Sequence, residues 1–213
     1  MSVRCYKRKK ISCEILALDF RLSSVSNFPK NGLPVPKMLT LWTQFVQHFG
    51  KPLDNSYLAH AVRGFFENGG RLCYVLPLKD NTLLELQNGL EAIEALDAID
   101  LVCAPDIMQN SQAEAIVEMQ RSVLEHCDKM SDRFAILDAF NIPTVEAIKA
   151  LKTQQQGLIG NNGAIYAPWL KIENAPCYIP PCGHIAGIYA QSDRAVGVYR
   201  APANYLLEGV LDR

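Results

Sequence analysis

The apolar residues of this chain follow two spacings, which separate buried strands from amphipathic helices. Runs of consecutive apolar residues are typical of strands covered on both faces of a sheet. They occur near residues 14–20, 71–78, 101–104, 134–138 and 164–167. Apolar residues three or four positions apart instead indicate one face of a helix. This spacing occurs near residues 40–49, 55–67, 82–96, 111–127 and 143–154.

The order of these segments predicts the fold class. Residues able to cap a helix precede three of the helical segments: Thr82 with Glu85, Ser111 with Glu114, and Asn55 or Ser56. Strands and helices alternate through short connections, which favours parallel strands with crossover helices. The pattern therefore predicts an α/β fold, doubly wound, with a mainly parallel sheet flanked by helices.

Residues 179–204 contain a second kind of pattern, made of prolines and glycines rather than apolar residues. Pro180 and Pro181 cannot continue a strand ladder, but proline is well tolerated at the start of a helix. Gly183 and Gly187 lie four positions apart, so on a helix they share a face that presents almost no side chain. We predict a helix that presses its backbone closely against a sheet or a second helix.

The same stretch resembles the signature of contractile tail sheath proteins, found in phages, tailocins and related contractile injection systems. In that family a proline pair leads into Gly-His-x-Ala-Gly, then Asp-Arg, Gly-Val-aromatic and Ala-Pro-Ala-Asn. The family usually has serine where this chain has Cys182. The matching residues here are Pro181, Gly183, His184, Gly187, Asp193, Arg194, Gly197, Ala201, Pro202 and Asn204.

The resemblance extends over about residues 40–210 and adds further matching residues. These are Gly69, Gly70, Pro105, Asp106, Asp132, Arg133, Asp138, Pro168 and Trp169. Together with the ten residues of the preceding paragraph, they are called the signature residues below. The resemblance implies a structural role for them in the sheath core, an α/β domain whose topology has been likened to that of subtilisin.

The resemblance also implies a function, which is mechanical rather than enzymatic and needs no cofactor. Sheath subunits polymerise as rings around an inner tube and contract to drive the tube through a target envelope. The implied partners are other sheath subunits, the inner tail tube protein and baseplate proteins. The implied location is the cytoplasm during assembly, and then a virion tail or an injection particle.

Two departures from the family pattern change the expectation. Residues 1–12 do not match the Pro-Gly-Val-Tyr type of N-terminal arm, and family members continue into a second region after the segment that matches residues 204–210. We therefore expect a short or truncated member. Residues 1–39 would form an N-terminal arm or loop with the first strand, and residues 40–213 the core domain without the C-terminal sheath region. Weakened polymerisation is expected.

Composition and charge exclude several other classes. The net charge of −1 gives no overall attraction to nucleic acid or to an anionic membrane, and no apolar run approaches the ~18 residues of a membrane span. One basic cluster lies at residues 4–10 and is interpreted as a solvated terminus. The seven cysteines are scattered, without the pattern of a disulfide framework.

Catalytic chemistry is weighed against packing at Cys182. Cys182, His184 and Asp193 lie close in sequence, but residues two positions apart on a helix point in different directions. No Gly-x-Ser-x-Gly elbow is present. We predict that the chain is not an enzyme and that Cys182 replaces a capping serine. An α/β hydrolase-like enzyme using Cys182, and a sheath paralogue that no longer assembles, remain the alternatives.

Ligand sites receive a similar interpretation. Cys177, Cys182 and His184 lack a fourth ligand at zinc-finger spacing, so no metal site is predicted. The glycines at 157, 160 and 163 lack the Gly-x-Gly turn of a dinucleotide site and are interpreted as a loop. Asp106 and Asp138 follow buried strands, where an enzyme could place acids. Because no base accompanies them, we predict that they cap the helices that follow.

Overall fold

The computed structural model describes residues 14–19, 35–52, 56–142, 146–173, 175 and 177–212. Its main sheet has the strand order β2-β3-β1-β4-β5-β6. All neighbouring strands in it are parallel except β2, which runs antiparallel to β3. The strands are β1 (Glu14–Asp19), β2 (Lys37–Leu39), β3 (Leu72–Pro77), β4 (Leu101–Cys103), β5 (Phe134–Asp138) and β6 (Gly163–Tyr166).

Strand β1 lies at the centre of the sheet. Ile15 pairs with Cys73 of β3 on one side and with Leu101 of β4 on the other. The predicted parallel sheet is confirmed, with β1 inserted between the strands near residues 72–77 and 101–104. Strand β2 was not predicted, because its three residues at the edge of the sheet are too few to show an alternating pattern. Residues 23–36, where Ser, Asn, Pro and Gly follow in quick succession, are predicted to form a loop and lie mostly outside the described residues.

Six helices and a smaller sheet accompany the main sheet in the described part of the chain. The helices are α1 (Trp42–Phe49), α2 (Tyr57–Glu67), α3 (Leu83–Ala92), α4 (Ala113–Met130), α5 (Glu146–Gln156) and α6 (Cys182–Ala195). A short 3₁₀ helix, Pro105–Gln109, follows β4. Strands β7 (Lys171–Ile172) and β8 (Val210–Asp212) form a two-stranded antiparallel sheet. The predicted helix near Pro181 is therefore confirmed as α6.

The hydrophobic core has two layers, one on each face of the main sheet. Cys73 and Val75 of β3 pack on the face that carries α1, α2 and α6. Leu76, at the end of the same strand, packs on the opposite face with side chains of α3 and α4. Alternate residues of β4 and β5 divide between the two layers in the same way, as the period of a strand requires. The prediction of an α/β fold with helices on both faces is confirmed.

The predicted helix caps were less accurate than the helices. The capping box of Ser111 and Glu114 is wrong, because α4 begins at Ala113 and its N-cap residue Gln112 makes no side-chain capping bond. Asn110 accepts the Gln112 N–H instead, in a turn that starts the helix later than the sequence pattern suggests.

At α3 only half of the predicted capping box forms. The Thr82 hydroxyl accepts the N–H of Glu85 at 3.3 Å. The Glu85 carboxylate, however, accepts the N–H of Lys79 at 3.1 Å instead of turning back to Thr82. The Thr82 N–H is satisfied by Asp80, two residues earlier. The local turn therefore competes for the donor that a full capping box would use.

Candidate functional site

Most signature residues of the last third of the chain lie on or beside one pair of helices, α2 and α6. A Cβ atom added at Gly183 would overlap the carbonyl oxygen of Ala61 on α2. At Gly187 it would lie 2.6 Å from the carbonyl oxygen of Phe65. The predicted close contact of these two glycines is confirmed, and the partner is helix α2. The two helices approach until one backbone touches the other, a separation that only glycine permits.

His184 fills the remaining space between the same helices. Its imidazole lies over Gly64, where an added Cβ would overlap the ring. The side chain is only 1% exposed, and its Nδ1 has no hydrogen-bond partner among the described residues. Burial, with smaller contributions from His60 and Arg63, lowers the pKa of His184 to about 4. At neutral pH His184 is therefore an uncharged packing group.

Asp138, at the carboxyl end of β5, caps helix α6. Its Oδ1 accepts the N–H of Cys182, the first residue of the helix, at 2.9 Å. The carboxyl group is buried, and burial raises its pKa to about 7 against the opposing effect of this hydrogen bond. The prediction that Asp138 caps the helix that follows it is wrong. Asp138 caps α6 instead, whose first residue lies 44 positions further along the chain and returns to this edge of the sheet.

Asp106 does the same for helix α2. Its Oδ1 accepts the N–H of Tyr57 at 2.7 Å and also a hydrogen bond from the Gln109 side chain. The predicted cap Ser56 occupies the N-cap position but makes no side-chain capping bond. The Asp106 carboxylate accepts the Tyr57 N–H instead, although Asp106 lies 49 positions further along the chain, just after β4. Two strand-end aspartates thus hold the starts of both paired helices.

At the opposite ends of the two helices, side chains donate hydrogen bonds to backbone carbonyl oxygens. Arg194 of α6 donates to the carbonyl oxygen of Gly69, which follows α2 with a φ of +102°. Asn68 donates to the carbonyl of Gly64 at 2.8 Å and accepts the N–H of Glu208 at 2.8 Å. The α2–α6 pair is therefore fixed at both ends, with the segment before β8 attached to it.

The geometry around Cys182 does not assemble a catalytic group. Its side chain is fully buried, and burial raises the pKa of its thiol well above the ordinary value, with Cys103 adding to the shift. A thiolate nucleophile is therefore disfavoured. His184, the candidate base, packs against Gly64 of α2, while Cys182 is held at Asp138. The structure does not combine these residues into a nucleophile with its base.

The other candidate ligand sites are also dispersed. Cys177 is exposed whereas Cys182 is buried. Within the described residues, no group of three His, Cys, Asp or Glu side chains is arranged to hold a metal ion. Gly157 and Gly160 lie in the connection from α5 to β6 and Gly163 begins β6. All three lie against α4, with Val117 or Leu124 as the nearest neighbour. None of the described helices combines the length and apolar character needed to cross a membrane.

A second group of signature residues lies on the opposite face of the sheet. Arg133 is fully buried at the start of β5 and donates to the carbonyls of Ile93 at 2.9 Å and Leu96 at 2.8 Å. Its neighbour Asp132 is exposed and lies 3.8 Å from the Arg133 Nε. This residue pair therefore joins the segment after α3 to the sheet.

Several further signature residues lie in the connections between helices and strands. The Trp169 indole donates to the carbonyl of Ala139 at 2.7 Å, and its ring meets the Tyr57 ring edge-on. Pro105 is the first residue of the 3₁₀ helix. Gly197, with a φ of +108°, follows α6, and Ala201 is exposed. A cavity of about 230 Å³ beside α6 is lined in part by Pro168, Pro181, Pro202 and Asn204.

With this geometry in hand, the chain can be compared with known proteins. No protein-family model and no curated protein sequence matches it. Solved structures do match, over nearly its whole length. The contracted helical sheath of the anti-feeding prophage (AFP) superposes with a TM-score of 0.69 at 22% identity, over 99% of this chain. The contracted PVC sheath complex, from an extracellular contractile injection system, gives 0.70 at 25% identity, over 98%.

This chain has the fold of contractile sheath subunits. A chain of the sixfold-symmetrised AFP baseplate structure also matches, with a TM-score of 0.69 at 22% identity over 95% of this chain. The chain spans about half the length of the chains it matches, since the matches cover 54%, 52% and 52% of them. The resemblance found in the sequence is thereby supported by an independent comparison of backbones.

Proposed function

We propose that this protein is a structural subunit of a contractile sheath, which polymerises around an inner tube and contracts to drive the tube through a target envelope. The observation that carries the proposal is the fold match to the two sheath structures over 98–99% of this chain. Its partners would be further sheath subunits, the inner tube protein and baseplate proteins. No catalytic step or cofactor enters the proposal.

The packing of the α2–α6 pair supports such a mechanical role. A contracting sheath rearranges by moving its subunits as rigid bodies, so each subunit must keep its internal geometry while its contacts change. Backbone contacts at Gly183 and Gly187 leave no space for the helices to slide. Asp106 and Asp138 fix the helix starts to the sheet. A force applied to either helix would therefore reach the whole sheet.

The subtilisin-like topology and the division into residues 1–39 and 40–213 belong to the same proposal. Residues 40–213 would form the core domain, whose sheet is completed by β1 and β2 from the first segment. The signature residues would serve this core structurally, by closing the helix pair and the connections at the carboxyl edge of the sheet. Assembly would take place in the cytoplasm, followed by incorporation into a virion tail or an injection particle.

The test is whether the polypeptide is present along the sheath of a particle. Particles would be isolated from the source organism by density-gradient centrifugation and analysed by mass spectrometry. Antibodies raised against the 213-residue polypeptide would label them for electron microscopy. We expect peptides of this chain in the particle fraction and gold labels along the tail, in both extended and contracted particles.

Variants sharpen this test. Cys182→Ser restores the residue usual in sheath proteins and is expected to leave incorporation unchanged. Gly183→Leu forces a side chain into the backbone of α2 and is expected to abolish incorporation. Intact particles without any peptide of this chain would contradict the proposal and favour the paralogue that no longer assembles. An activity lost only in Cys182→Ala would favour an enzyme.

A further inference from the structure

Arg133 carries a buried positive charge with an unusual set of partners. Its Nη2 donates to the carbonyl oxygens of Ile93 and Leu96, and its Nη1 lies 2.8 Å from Nε2 of His126 on α4. The carboxylate of the exposed Asp132 lies 3.8 Å from Nε. The guanidinium thus joins three parts of the protein: the segment after α3, helix α4 and the start of β5.

The contact with His126 fixes the protonation state of the imidazole. A guanidinium has donors only and stays charged, so Nε2 of His126 must accept the hydrogen bond. Nε2 is therefore unprotonated and the single ring proton is on Nδ1. His126 is 6% exposed, so water does not readily replace Arg133 as its partner.

We propose that the Arg133–His126 contact is an acid-sensitive latch, which holds residues 93–96 against α4 and β5 and opens when Nε2 of His126 takes up a proton. Protonation places two donors opposite each other in a buried site, so the two side chains must separate. Once Arg133 turns away, the carbonyls of Ile93 and Leu96 lose their donor. The connection between α3 and β4 is then free to move away from α4 and β5.

Some of the charged groups around His126 lower its pKa and others raise it. Burial and the Arg133 charge lower its pKa to about 4, with a smaller lowering effect from Lys129 and an opposing one from Glu94. Lys129 and Glu94 form an ion pair beside a groove between α3 and α4. Glu91 of α3 and Glu125 of α4 line the same groove, and Asp132 faces Arg133 from the β5 side.

The sign of the pH dependence follows from these values. The closed latch has a His126 pKa below the ordinary value of 6.5, so the open state binds more protons between about pH 4 and 6.5. Closure is therefore fully favoured above about pH 6.5 and weakens as the pH falls toward 4. Between pH 7.5 and 5.0 the opening equilibrium should rise roughly 30-fold.

Hydrogen exchange read by mass spectrometry tests the latch. Exchange of the segment 93–99 would be measured at pH 7.5 and 5.0 and corrected for the intrinsic effect of pH. We expect the opening equilibrium of this segment in the parent protein to be roughly 30-fold larger at pH 5.0 than at pH 7.5. His126→Gln keeps an acceptor for Arg133 but does not titrate, so the increase should vanish. His48→Gln, on α1, is the matched control and should behave like the parent.

Two results would overturn the proposal. One is an equal acid-induced increase in His126→Gln and in the parent, which would assign the effect to other groups, such as His184. The other comes from the unmodified protein and does not depend on any variant folding. In nuclear magnetic resonance of the imidazole nitrogens at pH 7.5, a proton on Nε2 of His126 would exclude the acceptor role on which the latch depends.

Discussion

The two faces of the main sheet are packed by different means. On one face, α2 and α6 meet backbone to backbone at Gly183 and Gly187, and the pair is held by aspartate caps. On the other face, α3 and α4 pack through larger side chains, with leucine, isoleucine and methionine in the core and Arg133 at its edge. On the first face two helix backbones touch at these glycines, whereas the helices of the second face meet only through side chains.

This difference determines how each face responds to change. A backbone cannot move aside without shifting a whole helix, so the α2–α6 contact has almost no tolerance for added volume. Side chains can change rotamer, so a small added volume should cost less on the α3–α4 face. We also expect this face to open locally where the polar contact of Arg133 is lost. We therefore expect substitutions that are chemically alike to differ in cost between the two faces.

The largest difference is expected between two glycine-to-alanine substitutions. Gly183→Ala places a Cβ inside the backbone of Ala61, and overpacking of this kind should cost about 3 kcal/mol or more. In Gly89→Ala on α3 the new Cβ meets the end of the Leu78 side chain. That side chain can shift, and alanine favours the helix, so the change should stay within about 1 kcal/mol. Urea unfolding at pH 7.5 would measure both, and equal costs would remove the proposed contrast.

Extra volume at the next glycine of the contact should act in the same direction. Gly187→Leu introduces a branched side chain 2.6 Å from the Phe65 carbonyl oxygen, where the Cβ alone is already too close. We expect a loss of about 1–3 kcal/mol or more in the free energy of unfolding, measured as a lower thermal midpoint. An unchanged midpoint would mean that α6 can move away from α2 without loss.

Two arginines give the next comparison. Arg133→Met leaves buried carbonyls without a donor and should cost about 2–3 kcal/mol. Arg63→Met removes an exposed partner of Glu67 on the other face and should change stability by less than about 1 kcal/mol. Chemical denaturation of the two variants in parallel would show the difference. A cost for Arg63→Met equal to that of Arg133→Met would contradict the stated role of burial.

The aspartate caps should contribute smaller amounts. Asp106→Ala leaves the first N–H of α2 without its acceptor and should cost about 1–2 kcal/mol. Asp132→Ala, which removes an exposed carboxylate, is the control and should lie within about 0.5 kcal/mol of the parent. Circular dichroism melts would compare them, and no loss in Asp106→Ala would mean that another group caps α2.

The smallest expected effect concerns pH and separates the two caps from each other. The folded protein raises the pKa of Asp138 to about 7, so this group stabilises the fold at low pH and loses its contribution as the pH rises through 7. Asp138→Asn keeps the acceptor for Cys182 but does not titrate. From pH 6 to pH 8, its unfolding constant relative to the parent should fall by about tenfold. A constant ratio would show that Asp138 is ionised throughout.

The sequence allowed the elements to be predicted better than the contacts between them. Apolar runs located β1 and β3 to β6. For β3, β4 and β5 the runs reflect burial on both faces of the sheet. The glycine spacing at 183 and 187 indicated a close helix contact, but not its partner α2. The local capping boxes failed at α4 and partly at α3, because nearby turn residues compete for the same donors.

The caps of α2 and α6 were beyond any local pattern. Asp106 and Asp138 were assigned to the helices that follow them, because sequence reasoning weighs neighbours in the chain first. Their actual partners, Tyr57 and Cys182, come to the sheet edge only through the tertiary fold. The contact of Arg133 with His126 could not be predicted for a related reason, since arginine is mostly exposed in folded proteins.

The long-range caps also affect how the chain folds. A helix with a cap from its own sequence can form early, whereas α2 and α6 obtain theirs across 49 and 44 positions of the chain. Contacts of such separation are slow to close, because the intervening loop loses entropy before the contact forms. The first turns of these two helices should therefore become stable only when β4 and β5 are already paired. Formation of the sheet is thus the step that commits the helix pair to its final position.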